Sequence, residues 1–315
     1  MAVMQMLDSE KTELPFAKSF AGHETFAFRH SWLKKGIGHL GKDPELFQRE
    51  DAIVTLGVGK NMVRSIRHWC LATRVAEEEP GTRSRRLKPT KLGAELLNDS
   101  GWDPFLEDDA TMWLLHWNLA SSNTKAATWY WAFNKFHEYA FTRATIAEAL
   151  AKFTRSQGWS DISESTLKRD VDCLVHTYLP RRTDLANGDD PIECPLAGLG
   201  ILVQESDGER LRFGVGPKPT LPIGVFAWAL AMFWNQTCCE SPILELHEIT
   251  NREGSPALVF RLDEDSVLNY LDDISRVSKG AMRFDDTALV RRVVRPEQTP
   301  LDAMAFLEDH YCDRK

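Results

Sequence analysis

Gly22-His23-Glu24-Thr25-Phe26, followed by Arg29 and His30, gathers titratable side chains into one short N-terminal segment. These residue types suit phosphodiester cleavage, with His23 as general base, Glu24 as metal ligand and Arg29 as a clamp on phosphate. A structural reading competes with it, in which His23 and Glu24 cap or link the first helix, and spacing alone does not choose between them. If the segment cuts DNA, the expected cofactor is a divalent ion such as magnesium or manganese, whose full ligand set the sequence leaves unknown.

Other chemistries are absent or weak. Gly57-Val58-Gly59-Lys60 has the wrong spacing for a phosphate-binding loop and no Ser or Thr follows its lysine, so ATP hydrolysis is not indicated. No His-Glu-x-x-His zinc motif occurs. Asp103, Glu107, Asp108 and Asp109 would hold a divalent ion if they converged, but an acidic first turn of a helix accounts for them as well. The six cysteines are scattered with no Cys-x-x-Cys pair and are expected to be buried, reduced thiols, including Cys238-Cys239 in the continuation of the apolar run from Phe226.

The elements that position such residues are read from periodicity. Leu56-Gly57-Val58-Gly59 breaks the chain before Lys60 to Trp69, where Met62, Val63, Ile66 and Trp69 fall at helical spacing and Lys60, Asn61, Arg64, Arg67 and His68 fall largely on other faces. Pro80-Gly81 marks a turn, and Leu92 to Leu97 resumes a helix, giving the order helix, turn, helix, wing, helix. From Lys60 to Lys91 there are nine basic residues against three acidic ones, while the whole chain carries a net charge of -8. That local excess is the electrostatic footprint expected of a DNA contact through Lys60, Asn61, Arg64, Arg67, Arg83, Arg85, Arg86 and Lys88. A solvated loop or a protein-docking module would carry the same residues.

A second pattern lies between Phe141 and Pro180. Thr142 is expected to cap a helix through Ile146, Leu150 and Phe153, with Gly158 to Asp161 as the break and a further helix from Ser163. Ser165, Thr166, Lys168 and Arg169 at the start of that helix are its candidate DNA contacts, although Asp170 and Asp172 balance the charge. Between the two patterns, the tryptophan-rich stretch from Trp102 to Phe136 reads as two buried helices joined by Ser121 to Thr124. Further on, Asp207-Gly208 predicts a hairpin, Phe226 to Trp234 a helix, Ala257 to Phe260 a strand, and Ser266 to Ile274 and Leu301 to Tyr311 amphipathic helices. No period of about 20 to 50 residues recurs.

The expected fold is mainly α with small β wings, in a multi-unit winged helix-turn-helix-like architecture. It divides into an N-terminal unit with a basic wing (1–100), an aromatic-rich helical unit with the second pattern (101–182) and an α+β packing or interaction unit (183–315). At 315 residues, 43% of them hydrophobic, the chain is long enough to bury a real core, and its acidity argues against coating nucleic acid non-specifically. Met1 to Phe16 lacks a basic region followed by an apolar run, and no stretch approaches about 18 apolar residues, so a cytoplasmic protein with no membrane partner is expected.

The segments Phe20-Ala-Gly-His-Glu-Thr-Phe-Ala-Phe-Arg29, Trp32-Leu-Lys-Lys-Gly36, Leu56-Gly-Val-Gly-Lys-Asn-Met-Val63, Trp113-Leu-Leu-His-Trp117 and Ser165-Thr-Leu-Lys-Arg-Asp170 together resemble the bacterial family known as domain of unknown function 4007. The resemblance covers nearly the whole chain. It implies an association with DNA phosphorothioation systems, and one branch of the family is similar to the nicking subunit of a single-strand phosphorothioation machinery. The expected function is therefore a DNA-binding component of a phosphorothioate modification or phage-defence system, with nicking as the activity the resemblance adds. Expected partners are double-stranded DNA and other proteins of that system, with a homo-oligomer left open. The alternative is a non-enzymatic winged-helix regulator or adaptor that docks DNA or partner proteins.

Overall fold

The computed structural model describes residues 17–81, 86–122, 125–179, 194–287, 290–296 and 300–312. The first helix, α1 (His30–Leu40), buries Trp32, Leu33, Ile37 and Leu40, one stripe at helical spacing. A short helix α2 (Ala52–Leu56) ends on Gly57, whose left-handed φ of 65° suits a residue without a β carbon. Next come α3 (Lys60–Ala72), the antiparallel hairpin β1 (Ala76–Glu78) and β2 (Leu87–Pro89), and α4 (Lys91–Leu97). Thr90 caps α4, its hydroxyl accepting from the Gly93 amide at 3.0 Å. The Leu87 amide donates to the Pro44 carbonyl at 3.0 Å, which lays the segment before α2 beside the second strand of the hairpin.

The middle of the chain holds α5 (Asp109–Ala120), α6 (Ala127–Asn134), α7 (Arg143–Ser156) and α8 (Glu164–Tyr178). Thr142 caps α7 in a reciprocal box with Thr145, and Ser163 caps α8. The expected hairpin forms as β3 (Leu202–Gln204) and β4 (Leu211–Phe213), turning at Asp207-Gly208 with Gly208 at φ 77°. Phe141, just before α7, bridges Leu211 of β4 in antiparallel fashion.

The last part runs α9 (Ile223–Thr237), β5 (Ile243–Glu245), α10 (Leu246–Asn251), α11 (Pro256–Phe260), α12 (Glu264–Asp272), α13 (Ile274–Val277), β6 (Arg283–Thr287), β7 (Val290–Val294) and α14 (Ala303–Cys312). The strand expected over Ala257 to Phe260 is instead the helix α11. Ser255 caps it and Pro256 fills its first turn, and these two start signals outweigh the apolar run. The β6–β7 hairpin is absent from the sequence reading. It pairs Asp285 with Arg292 and Asp286 with Arg291 across the strands, so charge pairing hides the usual apolar alternation.

One topology recurs three times. Two or more helices and a hairpin follow a segment that bonds the second hairpin strand: the turn at Pro44 through one hydrogen bond to β2, Phe141 through a bridge to β4, and β5 as a full strand beside β7. The sequence shows no matching period because the helices and loops between the paired strands differ in length each time. The architecture is thus mainly α with small antiparallel sheets.

These parts share a core centred on α5 and α9. From Ala110 to Ala120 every residue of α5 is buried, so its polar side chains must find partners inside. Asn118 donates to the Thr73 carbonyl (2.9 Å), while His116 bonds the Tyr178 hydroxyl and the Val259 carbonyl (2.7 Å each). The one helix therefore ties residues near α3, in α8 and in α11 together. At the far end, Tyr311 of α14 stacks on Trp102 with ring centroids 4.9 Å apart and bonds Thr111 at 2.8 Å. The cysteines depart from expectation: Cys70, Cys173 and Cys194 are buried, but Cys238 is half-buried and Cys239 and Cys312 are exposed, because the pair lies just past the end of α9. Among the described residues no helix is long and apolar enough to cross a membrane.

Candidate nucleic-acid interface

Gly59 supplies the N-cap of α3 without a side-chain hydrogen bond, so the first amides of the helix face outward with no internal acceptor. Val63, Ile66, Trp69 and Cys70 are buried, which leaves Lys60, Asn61 and Arg64 exposed on the first two turns. A helix start of this kind pairs the positive end of the helix dipole with cationic side chains, a favourable place for phosphate.

The charge excess expected between Lys60 and Lys91 is partly spent within the protein. Arg67 pairs with Glu78 (3.2 Å), Lys88 with Glu77 (3.1 Å), Arg86 with Glu79 and Glu45 (3.4 and 3.7 Å), and Arg64 with Glu24 (3.4 Å). Arg74 is half-buried, and burial pushes its guanidinium below the usual range. Lys60 has no carboxylate partner among the described residues. Arg83 and Arg85 lie outside the described residues. Exposed ion pairs are worth little, so the paired cations remain exchangeable with phosphate.

On α8 the Ser163 hydroxyl accepts from the Thr166 amide at 3.2 Å, and Ser165, Lys168 and Arg169 are exposed. Arg169 folds back, its Nε donating to the Ser165 carbonyl at 3.3 Å. The charge balance read from the sequence is corrected at Asp170, which is buried at 2% exposure and points inward. Asp172 pairs with Arg143 at 3.1 Å. Neither acid therefore neutralises Lys168 or Arg169 directly.

The His23 segment joins these two helices. Asp170 Oδ1 accepts from the Ala21 amide (2.8 Å) and from His23 Nε2 (3.1 Å), and its Oδ2 accepts from the Thr128 hydroxyl (2.9 Å). His23 Nδ1 accepts from the Thr25 amide at 3.1 Å, which assigns the ring proton to Nε2. Both ring nitrogens are thus engaged, and the ring is 1% exposed among Trp69, Trp129 and His68. The His23 carbonyl accepts from Ser65 of α3 at 3.0 Å. Two segments far apart in sequence, Gly22-His23-Glu24 and Ser165 to Asp170, therefore meet in space.

Tight geometry accompanies this junction. Ala21, Glu24 and Thr25 hold φ values of 60°, 50° and 69°, a left-handed conformation that side chains resist. A β carbon on Gly22 would stand 2.4 Å from His68 Nδ1, so glycine is required there. Burial pushes His68 down to about 3, and the ring is neutral. Arg29 occupies the N-cap position of α1 without a capping side-chain bond, and its guanidinium lies over the Trp32 ring, 5.4 Å from the centroid. No hydrogen bond or ion pair among the described residues joins it to His23 or Glu24. The structural parts of Thr128, His68 and Asp170 are missing from the sequence reading, and the only sequence signal for Asp170 is its place in the Ser165 to Asp170 segment.

The acidic cluster is committed to capping. Asp103 accepts from the Glu107 and Asp108 amides (2.8 and 3.0 Å), and Asp108 accepts from Ala110 (2.9 Å). Among the described residues no group of three or more His, Cys, Asp and Glu side chains is placed to hold a metal ion.

Residues 20–311 match the family described as protein of unknown function (DUF4007). No curated protein matches. Two solved structures are similar over 94% of this chain and 89% of theirs, each with a TM-score of 0.85: one described as SspB crystal structure, at 30% identity, and one as magnesium ion-bound SspB crystal structure, at 31%.

Proposed function

The chain belongs to the DUF4007 family, and on that premise we propose that it is a DNA-binding component of a bacterial phosphorothioate modification or defence system. The observation that carries the DNA reading is the uncapped start of α3, which exposes Lys60, Asn61 and Arg64. The recurring order of helices and hairpin resembles that of winged helix-turn-helix modules, in which the helix before the hairpin enters a major groove, and this supports the reading. We assign α3 and α8 to that role, with Arg67, Arg86 and Lys88 on backbone phosphates together with Arg83 and Arg85, and Ser165, Thr166, Lys168 and Arg169 as the second contact. The buried His23–Asp170 junction ties the two helices together, which supports a reading in which both engage one duplex. The sulfur pathway is supported by the family resemblance and the likeness to the SspB structures, and by no single residue's geometry.

Nicking is the second reading. It is favoured by the strained backbone at Ala21, Glu24 and Thr25, since such strain concentrates at functional sites. It would place His23, Glu24 and Arg29 at the scissile phosphate. The described residues form no protein cage for magnesium, and a magnesium ion shared with DNA phosphates needs only one or two carboxylates. The geometry supports binding and positioning further than it supports cleavage.

Duplex affinity measured against salt, alongside nicking of supercoiled plasmid with magnesium or manganese, tests both readings. A steep salt slope that Lys60→Glu reduces by about one log-log unit supports the interface. A wild-type protein that binds no duplex would transfer the winged units to the adaptor reading. Binding without nicking would leave a DNA-docking component that cuts nothing.

A further inference from the structure

Cys238 closes α9, and Glu248 of α10 and Arg252 at that helix's C-cap turn toward its sulfur. Arg252 Nη1 donates to Cys238 Sγ at 3.0 Å, and the thiol donates to Glu248 Oε1 at 3.7 Å. Glu248 and Arg252, one helical turn apart, also bond each other at 3.0 Å. Cys238 is half-buried and its neighbour Cys239 is exposed, so a small molecule can reach this end of the helix. Cys70, Cys194, Cys239 and Cys312 lack such a setting. Burial pushes the Cys70 thiol up to about 12 and Cys194 higher still, and among the described residues no charged side chain bonds the sulfur of Cys239 or Cys312.

We propose that Cys238 is a nucleophilic thiol directed at sulfur–sulfur bonds, with Glu248 accepting its proton and Arg252 steadying the charge that develops on sulfur. Such an arrangement of nucleophile, base and cation is how a weak nucleophile is activated. The Cys238 proton passes to Glu248 as the sulfur lone pair attacks one sulfur of R–S–S–R. The S–S bond breaks, and the departing thiolate takes the proton back from Glu248. The net change is Cys238–SH plus R–S–S–R giving Cys238–S–S–R plus R–SH. The electrophile is a small organic disulfide or a polysulfide, which share this bond. The site does not depend on the DNA reading.

The test uses the full-length native protein and an aromatic disulfide that releases a coloured thiolate. One thiol per chain is expected to react in a fast phase, about tenfold or more ahead of Cys239 and Cys312, which serve as internal controls. Cys238→Ser removes that phase, while Glu248→Gln and Arg252→Gln each slow it about tenfold and leave the slower phases unchanged. Mass mapping of the quenched wild-type protein assigns the fast site even if a variant fails to fold. Separate arms with an oxidised low-molecular-weight thiol and with inorganic polysulfide distinguish the sources, the latter adding one sulfur atom, about 32 Da, to the Cys238 peptide. Adduct at Cys238 in either arm supports the proposal. A fast phase that persists in Cys238→Ser, or labelling of Cys238 no faster than of Cys312, overturns it.

Discussion

His23→Ala separates positioning from chemistry most sharply, and its cost follows from the contacts of the ring. The substitution removes the bond to buried Asp170 at 3.1 Å and the acceptor of the Thr25 amide. A hydrogen bond to an ionisable group is worth about 1.5 to 3 kcal/mol. The vacated space among Trp69, Trp129 and His68 adds about 1 to 2 kcal/mol for lost burial and the cavity left behind. Together the loss is about 4 kcal/mol. For a chain of 315 residues the unfolding entropy is about 0.7 kcal/mol per degree, which lowers the melting temperature by about 6 °C. Asp170→Ala should cost a similar amount. Asp170→Asn should stay near wild type, because an amide keeps the oxygen facing Ala21 and His23 while the Thr128 hydroxyl turns to accept. Melting temperature, duplex affinity and plasmid nicking are to be read on the same preparations. The positioning argument is refuted if His23→Ala abolishes nicking while melting temperature and affinity stay at wild-type values, for that pattern belongs to a group acting in the transition state.

Three further outcomes are expected. Asn61→Ala and Arg64→Ala should each cost about 1 to 3 kcal/mol of affinity for a preferred duplex and less for random DNA, and equal losses on both would mean phosphate contact alone. Gly22→Ala forces its new methyl against His68 and should lower the melting temperature by several degrees, whereas Gly59→Ala, with open space around it, should change it little. Burial holds His116 down at about 3 against an ordinary 6.5, so between those values the unfolded chain binds a proton that the native protein does not. Stability should therefore fall by about 1.4 kcal/mol per pH unit from this residue as pH drops below 6.5, and thermal melts from pH 7 to pH 4 should show a shallower decline in His116→Gln.

What the sequence revealed was whatever depends on neighbours along the chain. The Gly57-Val58-Gly59 break, the apolar spacing of Val63, Ile66 and Trp69, the Thr142 and Ser163 caps and the Asp207-Gly208 turn are local signals, and each element forms as they indicate. Ala257 to Phe260 failed because an apolar run of that length serves a strand or a short helix equally, and the preceding Ser255-Pro256 decided it. The β6–β7 hairpin stayed hidden because its strands are held by Arg–Asp pairs rather than by an apolar stripe. In the candidate site, Lys60, Asn61, Arg64, Ser165, Lys168 and Arg169 could be named from helical spacing. The bond from His23 to Asp170 could not, since it spans 147 residues and no periodicity records such a pairing.

The stacking of Tyr311 on Trp102 bears on how the protein is made. A chain emerging from the ribosome displays Trp102 and Thr111 long before the helix that covers them exists, for Tyr311 follows Thr111 by 200 residues. The earlier parts can fold as they appear, but the seam between α4 and α5 stays uncovered until α14 has been made. Products that stop before α14 would carry this seam open to solvent together with the face of α9 that α14 covers, and quality-control proteases and chaperones could recognise them by that exposed apolar surface.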